Sequence, residues 1–364
     1  MLRSDWSRIH ETGGFHLYTP PLAFISFLYG ICVRARNYFI KNKGKKLPGF
    51  VLSIGNITAG GTGKTPATIM FAAWAQSQGY NVAVLSRGYG GNYKKDVEVV
   101  SDGKNILLTP EMAGDEPWLM AGTLEDIPVI VSRTRYLAGM KAKNDFGSSF
   151  FILDDGFQHM HLKRDMDIVL ADAGRPFGNG HLLPWGPLRE PLSGLKRADA
   201  VLFTRTGKLH PEKNNYSFFN KPLFTGDHAP DRIIIPSIGK EYDLSYLKGK
   251  RVTAFSGIAK PESFKESLFN LGAEVVSFRA FGDHYPFSRE DITKLMEERK
   301  SLKCEFLITT EKDWARIREM AMDIDSLACL TIRFVITSGK DELFNMIKEK
   351  ADAVLKERFC QPAA

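Results

Sequence analysis

Apolar residues along this chain come in short runs, separated by turn residues or by stretches of helical period. The runs at 50–54, 82–85, 129–131, 150–153, 168–170 and 200–203 each have the length of a fully buried strand. Crossover helices between them, the first at 67–78, predict a parallel, doubly wound sheet with helices on both faces. From Ser217 to Tyr246 the pattern loosens around Pro222, Pro230, Pro236 and several glycines. It resumes at Arg251 with RVTAFSGIA, a helix over 261–271, AEVVSFRAF, a helix over 289–298, and EFLITTEKD. The expected organisation is an amino-terminal segment 1–46, a first domain 47–225, a linker 226–248 and a smaller α/β domain 249–364.

The amino-terminal segment has its own pattern. PPLAFISFLYGICV, at 20–33, is followed at once by Arg34, Arg36, Lys41, Lys43, Lys45 and Lys46. A spanning helix needs about 20 apolar residues, so this run suits a helix lying in a membrane interface better than one that crosses. Asp5 and Glu11 precede the run and no A-x-A-like site follows it, which disfavours a secretory signal. A core-packing helix with a solvated basic end is the other reading of the same residues.

Composition narrows the classes. With 364 residues, 43% hydrophobic and 25% charged, the chain is neither disordered nor collagen-like, nor a multi-span membrane protein. Cys32, Cys304, Cys329 and Cys360 form no C-x-x-C pair, so neither a zinc site nor a disulfide framework is indicated, and a reducing compartment follows. The net charge of +7 favours anionic partners such as nucleotides, nucleic acid or an acidic membrane face.

The chemistry should lie just after the apolar runs, where an open parallel sheet gathers its ligands. VLSIGNITAGGTGKTP, at 51–66, leaves a strand, turns through Gly60, Gly61, Thr62 and Gly63, and enters a helix. Backbone amides there can close around phosphate, Lys64 can reach the outer phosphates, and the Thr65 hydroxyl can sit on magnesium. Thr58 stands where the usual pattern has its first glycine. The fold class is therefore α/β, a P-loop-containing doubly wound parallel sheet with a second, smaller α/β domain and an amino-terminal membrane-associating helix.

Asp154 and Asp155 follow the fourth run, at 150–153, where carboxylates can hold magnesium opposite a phosphate loop. Spacing alone reads Asp115 of GDEP as a helix cap and His284 of FGDHYPFS as a structural turn histidine. Gln158 and His159 are better placed, although a packed histidine is equally compatible with their surroundings. Ser256-Gly257 and TTEKD, at 309–313, also stand at strand ends, as turns or as closures over the nucleotide.

In order, SIGNITAGGTGKTP, LSRGYG, GDEP, ILDDGFQH, LLPWGPLREP, AFSGI, FGDHYPFS and ITTEKD resemble the lipid A tetraacyldisaccharide 4'-kinases, over nearly the whole chain. The resemblance implies ATP and Mg2+ as cofactors and a cleft between two domains. It implies that Asp115 is the base for the acceptor hydroxyl and that His284 orients it. It further implies that Asp154, Asp155 and Glu190 serve magnesium and nucleotide, and that His159 supports the site. The implied reaction phosphorylates the 4'-hydroxyl of a tetraacylated glucosamine disaccharide 1-phosphate at the cytoplasmic face of a bacterial inner membrane. Its implied partner is a membrane-resident lipid met by peripheral or monotopic contact, with no nucleic acid and no obligate protein partner. Two rivals remain on sequence grounds. A nucleotide-switch ATPase shares the GGTGKT loop, and a nucleic-acid-binding NTPase has only the charge in its favour.

Overall fold

The computed structural model describes residues 19–40, 43–206, 220–283 and 285–359. In its first half the strands are β1 (Phe50–Gly55), β2 (Val82–Ser86), β3 (Val97–Ser101), β4 (Val129–Ser132), β5 (Phe150–Asp154), β6 (Met166–Asp172) and β7 (Ala200–Thr204). β1 lies between β5 and β6, parallel to both, and all six of its residues are buried. Burial on both faces replaces alternation by a continuous apolar run, which is why these strands were readable. β3 pairs antiparallel with β4 at the sheet edge, and its half-exposed residues VEVVS gave no such run.

The segment 226–248, expected as a linker, is mostly regular. β8 (Leu223–Ile235) runs parallel to β7 and then antiparallel to β13 (Leu327–Ser338), from Thr225 opposite Ser338 to Ile234 opposite Cys329. β9 (Lys240–Tyr242) pairs with its far end. Pro230 sits opposite Ile332 where the register shifts, the kind of irregularity at which proline is tolerated in a strand. Through β8 and β13 the sheet continues into β12 (Phe306–Thr310), β10 (Arg251–Ser256) and β11 (Glu274–Ala280), so one sheet of thirteen strands runs through both halves.

Helices cover the sheet: α2 (Lys64–Ser77), the single turn α3 (Pro110–Ala113), α4 (Asp115–Thr123) and α5 (Arg135–Phe146) in the first half. The second half carries α6 (Pro261–Asn270), α7 (Arg289–Ser301), α8 (Glu311–Ala321) and α9 (Lys340–Phe359). α9 departs from the expected 249–364 unit. Its Leu343, Ile347 and Ala351, four residues apart on one face, enter the first half's core with Phe50, Phe71 and Ala75. Phe344 stacks on Trp74 at 4.7 Å, and Arg358 pairs with Asp165 at 2.6 Å.

The amino-terminal helix α1 (Thr19–Ile40) is longer than its apolar run and divides it between two faces. Ser26, Gly30 and Val33 are buried against the body. Ser26 Oγ donates to the Leu182 carbonyl at 2.8 Å, and the Tyr29 hydroxyl to that of Arg189 at 2.8 Å. Phe24, Phe27, Leu28 and Ile31, at i, i+3, i+4 and i+7, are left in solvent, with Phe24 62% and Phe27 61% exposed. No described helix is long and apolar enough to cross a membrane.

Candidate active site

At the end of β1 the backbone turns through the glycine-rich loop and enters α2 at Lys64, so the loop amides and the helix N-terminus face the same space. Gly60 (φ 115°) and Gly63 (φ 84°) take the left-handed conformations, and Thr58 does not. Thr58 instead bridges antiparallel to Leu188, an extended pairing open to any residue, so the glycine requirement has moved to position 60. The loop is braced from behind. Asn56 Nδ2 donates to Thr62 Oγ1 at 3.0 Å and Thr204 Oγ1 to the Thr62 carbonyl at 3.0 Å. The ring of His228, from β8, fills the space a side chain at Gly63 would need. Burial, then Arg205, pushes that imidazole down to about 4, so it packs there uncharged.

Asp154 stands opposite Ile54 in the sheet, one strand from the loop. It accepts from Ser86 Oγ at 3.2 Å and Thr68 Oγ1 at 3.3 Å, and burial, followed by the charge of Asp155, pushes it up to about 6. Asp155, at φ 51°, turns the other way. It accepts both of its short bonds from Arg189 Nη1, at 2.8 and 3.0 Å, and lies 3.7 Å from Lys64 Nζ. Burial would raise Asp155, but Lys64 and Arg189 outweigh it and hold the carboxyl below its usual range.

Glu190 does not join this pair. It is fully buried and absent from the cleft wall, with Oε1 accepting from Gln158 Nε2 at 2.9 Å and Oε2 from Arg197 Nη2 at 2.7 Å. Since Gln158 Nε2 also donates to the Asn56 carbonyl at 2.8 Å, Glu190 steadies the backbone beneath the loop. Each carboxylate oxygen is thus engaged away from the cleft wall, whereas the resemblance implies a part in magnesium and nucleotide binding. His159 does line the cleft. Burial, with Arg135 next, drives its imidazole down to about 3, and Nε2 is buried without a hydrogen-bond partner among the described residues.

Asp115 opens α4, after Gly114 in a conformation (φ 89°) closed to other residues by the backbone of Tyr89. Its side chain accepts from Arg316 Nε, on α8 of the second half, at 2.8 Å. His284 lies outside the described residues, and its neighbour Asp283 is 3.9 Å from Lys312 Nζ. A cleft of about 2000 Å3 joins the loop, Asp115, Asp154, Asp155 and His159, and reaches Tyr29, Arg36 and Ile40 of α1.

Sequence reasoning assigned no role to Arg135, Arg189, His228 or Arg316. Arg189 stands beside Glu190 in LREP, so the motif did carry a signal for it. The others owe their place to folding from distant elements. Asp172, at the end of β6, accepts from Arg205 Nη1 at 2.9 Å and from Lys260 Nζ of the second half at 2.8 Å, a link across the cleft.

Comparison with known proteins follows the same outline. Residues 18–352 match the family model described as tetraacyldisaccharide-1-P 4'-kinase. A tetraacyldisaccharide 4'-kinase of Syntrophus aciditrophicus is 43% identical over 341 residues, 88% of this chain and 91% of that protein. One from Pelobacter propionicus is 40% identical over 295 residues, 80% of this chain and 81% of that protein. The crystal structure of LpxK from Aquifex aeolicus in complex with ATP superposes with a TM-score of 0.76 at 32% identity, over 92% of this chain and 100% of that one.

Proposed function

The chain belongs to the tetraacyldisaccharide-1-P 4'-kinase family, and from that premise we propose how its residues divide the work of an ATP-dependent kinase of lipid A biosynthesis. One observation carries the division. A single cleft is lined by the phosphate loop, by Asp115 with Asp154 and Asp155, and by Tyr29, Arg36 and Ile40 of α1.

The loop amides and the N-terminus of α2 receive the nucleotide phosphates, and Lys64 bridges toward the outer ones. Arg189 and Lys64 already converge on Asp155, so cations stand ready where phosphate charge arrives. A divalent cation fits the carboxylate beside them. Asp154 is buried and accepts from the Ser86 and Thr68 hydroxyls, and burial with the neighbouring Asp155 charge pushes it up to about 6, a penalty a cation would relieve. Magnesium there would be held by Asp154, Asp155 and the Thr65 hydroxyl, and would supply neutralisation of the transferring phosphoryl group. Asp115 takes the proton of the sugar 4'-hydroxyl, a role that needs little basicity because phosphoryl transfer asks mainly for position and charge. His159, kept neutral by burial and the nearby arginines, supports the wall of the site beside the aspartates.

The acceptor's four acyl chains remain in the bilayer, at about 0.8 kcal/mol per buried methylene, so the enzyme goes to the membrane. The exposed row Phe24, Phe27, Leu28 and Ile31 lies in the interface, and Arg34, Arg36 and Lys45 attract anionic lipid at about 1 kcal/mol each. ATP supply then puts the cleft at the cytoplasmic face of the inner membrane. The test supplies magnesium, labelled ATP and the tetraacylated disaccharide 1-phosphate in detergent micelles. Label should pass to the lipid; label reaching only water, with turnover stimulated by a protein or DNA, would fit a nucleotide switch instead. Asp115→Ala should cut kcat by about 100-fold or more and leave ATP affinity near that of the parent protein.

A further inference from the structure

α8 meets α4 along a short polar seam that the reaction as described above does not use. Lys312 and Arg316, four residues apart on α8, face the two acidic residues that open α4. Lys312 Nζ is 3.6 Å from Glu116, and Arg316 Nε is 2.8 Å from Asp115. Two residues on, the Arg318 guanidinium lies 4.5 Å over the ring of Trp118. Every cation of the seam belongs to the second half and every acceptor to the first.

Arg316 is not a flexible surface arginine that happens to reach across. Its side chain is 10% exposed, and Nη1 donates to the Gly257 carbonyl at 3.1 Å and to Asp313 Oδ1 at 3.2 Å. Asp313 is itself fully buried. It accepts from the Gly257 amide at 2.9 Å and from Thr310 Oγ1 at 2.8 Å. The guanidinium is thus fixed by the ends of β10 and β12 before it touches Asp115, and its planar fork leaves Nε pointing at one carboxylate oxygen.

We propose that Arg316 is the positioning residue for Asp115: fixed by the second half, it aims the carboxylate at the acceptor hydroxyl and keeps it anionic only while the halves are closed. The proposal rests on the reading of Asp115 as the base. Its consequence is that proton acceptance is assembled across the cleft and is complete only when α8 lies on α4. Lys64, Glu116, Asp154, Asp155, Asp283 and Lys312 share the cleft with Asp115. Of these, Lys312 pairs with Glu116 at 3.6 Å and Asp283 at 3.9 Å, while Arg316 touches the base directly at 2.8 Å.

The test compares Arg316→Gln and Arg316→Lys in the full chain, measuring kcat against pH, KM for ATP and the thermal midpoint. Arg316→Gln should lower kcat at pH 7 by about 10-fold or more and move the acidic limb of kcat upward by about one pH unit or more, with KM for ATP changed by less than about threefold. Arg316→Lys, retaining the charge without the fork, should keep the limb near its original position and recover part of the rate. If both variants lose rate equally with no movement of the limb, or if kcat rises because the pair had restrained Asp115, the proposal is overturned. Asp115→Ala measured alongside separates the two readings. Loss of turnover in that variant with a normal pH profile in Arg316→Gln defeats the positioning role alone, whereas near-normal turnover in Asp115→Ala defeats the assignment of the base.

Discussion

Adjacent residues in one motif acquire opposite character here. Asp154 and Asp155 share a strand end, yet the first faces hydroxyls and is pushed up to about 6, while the second faces Lys64 and Arg189 and is held below its usual range. The difference is a single left-handed residue, Asp155 at φ 51°, which swings the side chains apart. A carboxyl that binds its proton more tightly when folded, at about 6 against 3.8 unfolded, costs stability above pH 6 and nothing below about pH 4. Asp154→Asn should therefore stabilise the protein by about 1–3 kcal/mol at pH 8 and not at pH 4, while abolishing most kinase activity. Melting curves at the two pH values check it; an equal shift at both would point to packing instead of charge. The aspartate pair and the loop were legible because their residue types and strand-end position suffice to name the chemistry. The split between the two aspartates was not, since it depends on Arg189, thirty-four positions away. Glu190 shows the converse: its residue type fits a metal, and only its partners Gln158 and Arg197 reveal a brace.

Elements were readable in proportion to how completely they are buried. β1, β2, β4, β5, β6 and β7 are continuous apolar runs with both faces covered. β8 resembled a linker because it is a half-exposed ribbon carrying Gly226, Asp227, His228, Pro230 and Asp231, whose pairing is set by β13 about a hundred residues later. Of the two readings of α1, packing against the body describes the face docked through Ser26 and Gly30, and the opposite face is left exposed. Because Phe24 and Phe27 are more than half exposed, Phe24→Asp combined with Phe27→Asp should leave the melting temperature within about a degree. Binding to anionic vesicles should fall by about 10-fold or more. Retention on vesicles in a sedimentation assay would show that another surface makes the attachment.

At the scale of the molecule, two sets of polar links span the cleft among the described residues, the α4–α8 pairs Asp115–Arg316 and Glu116–Lys312 and the Asp172–Lys260 contact. The second is the more exposed, and a lone exposed bridge is worth about 0–1 kcal/mol. Asp172→Asn should accordingly raise KM for ATP by no more than about fivefold, with a small increase in the radius of gyration without nucleotide. A larger loss, or none in either quantity, would mean that this link does not help to hold the halves together. The continuous sheet ensures that such opening is a bending of the β8–β13 ribbon and not a parting of independent bodies. The position of α9 has a consequence for how the chain is made. Leu343, Ile347 and Ala351 complete the apolar wall behind the phosphate loop, yet they are synthesised after every strand of the second half. A nascent chain that has finished the first half still exposes Phe71 and Trp74, so it must wait, partly folded and prone to association, for the last helix to arrive.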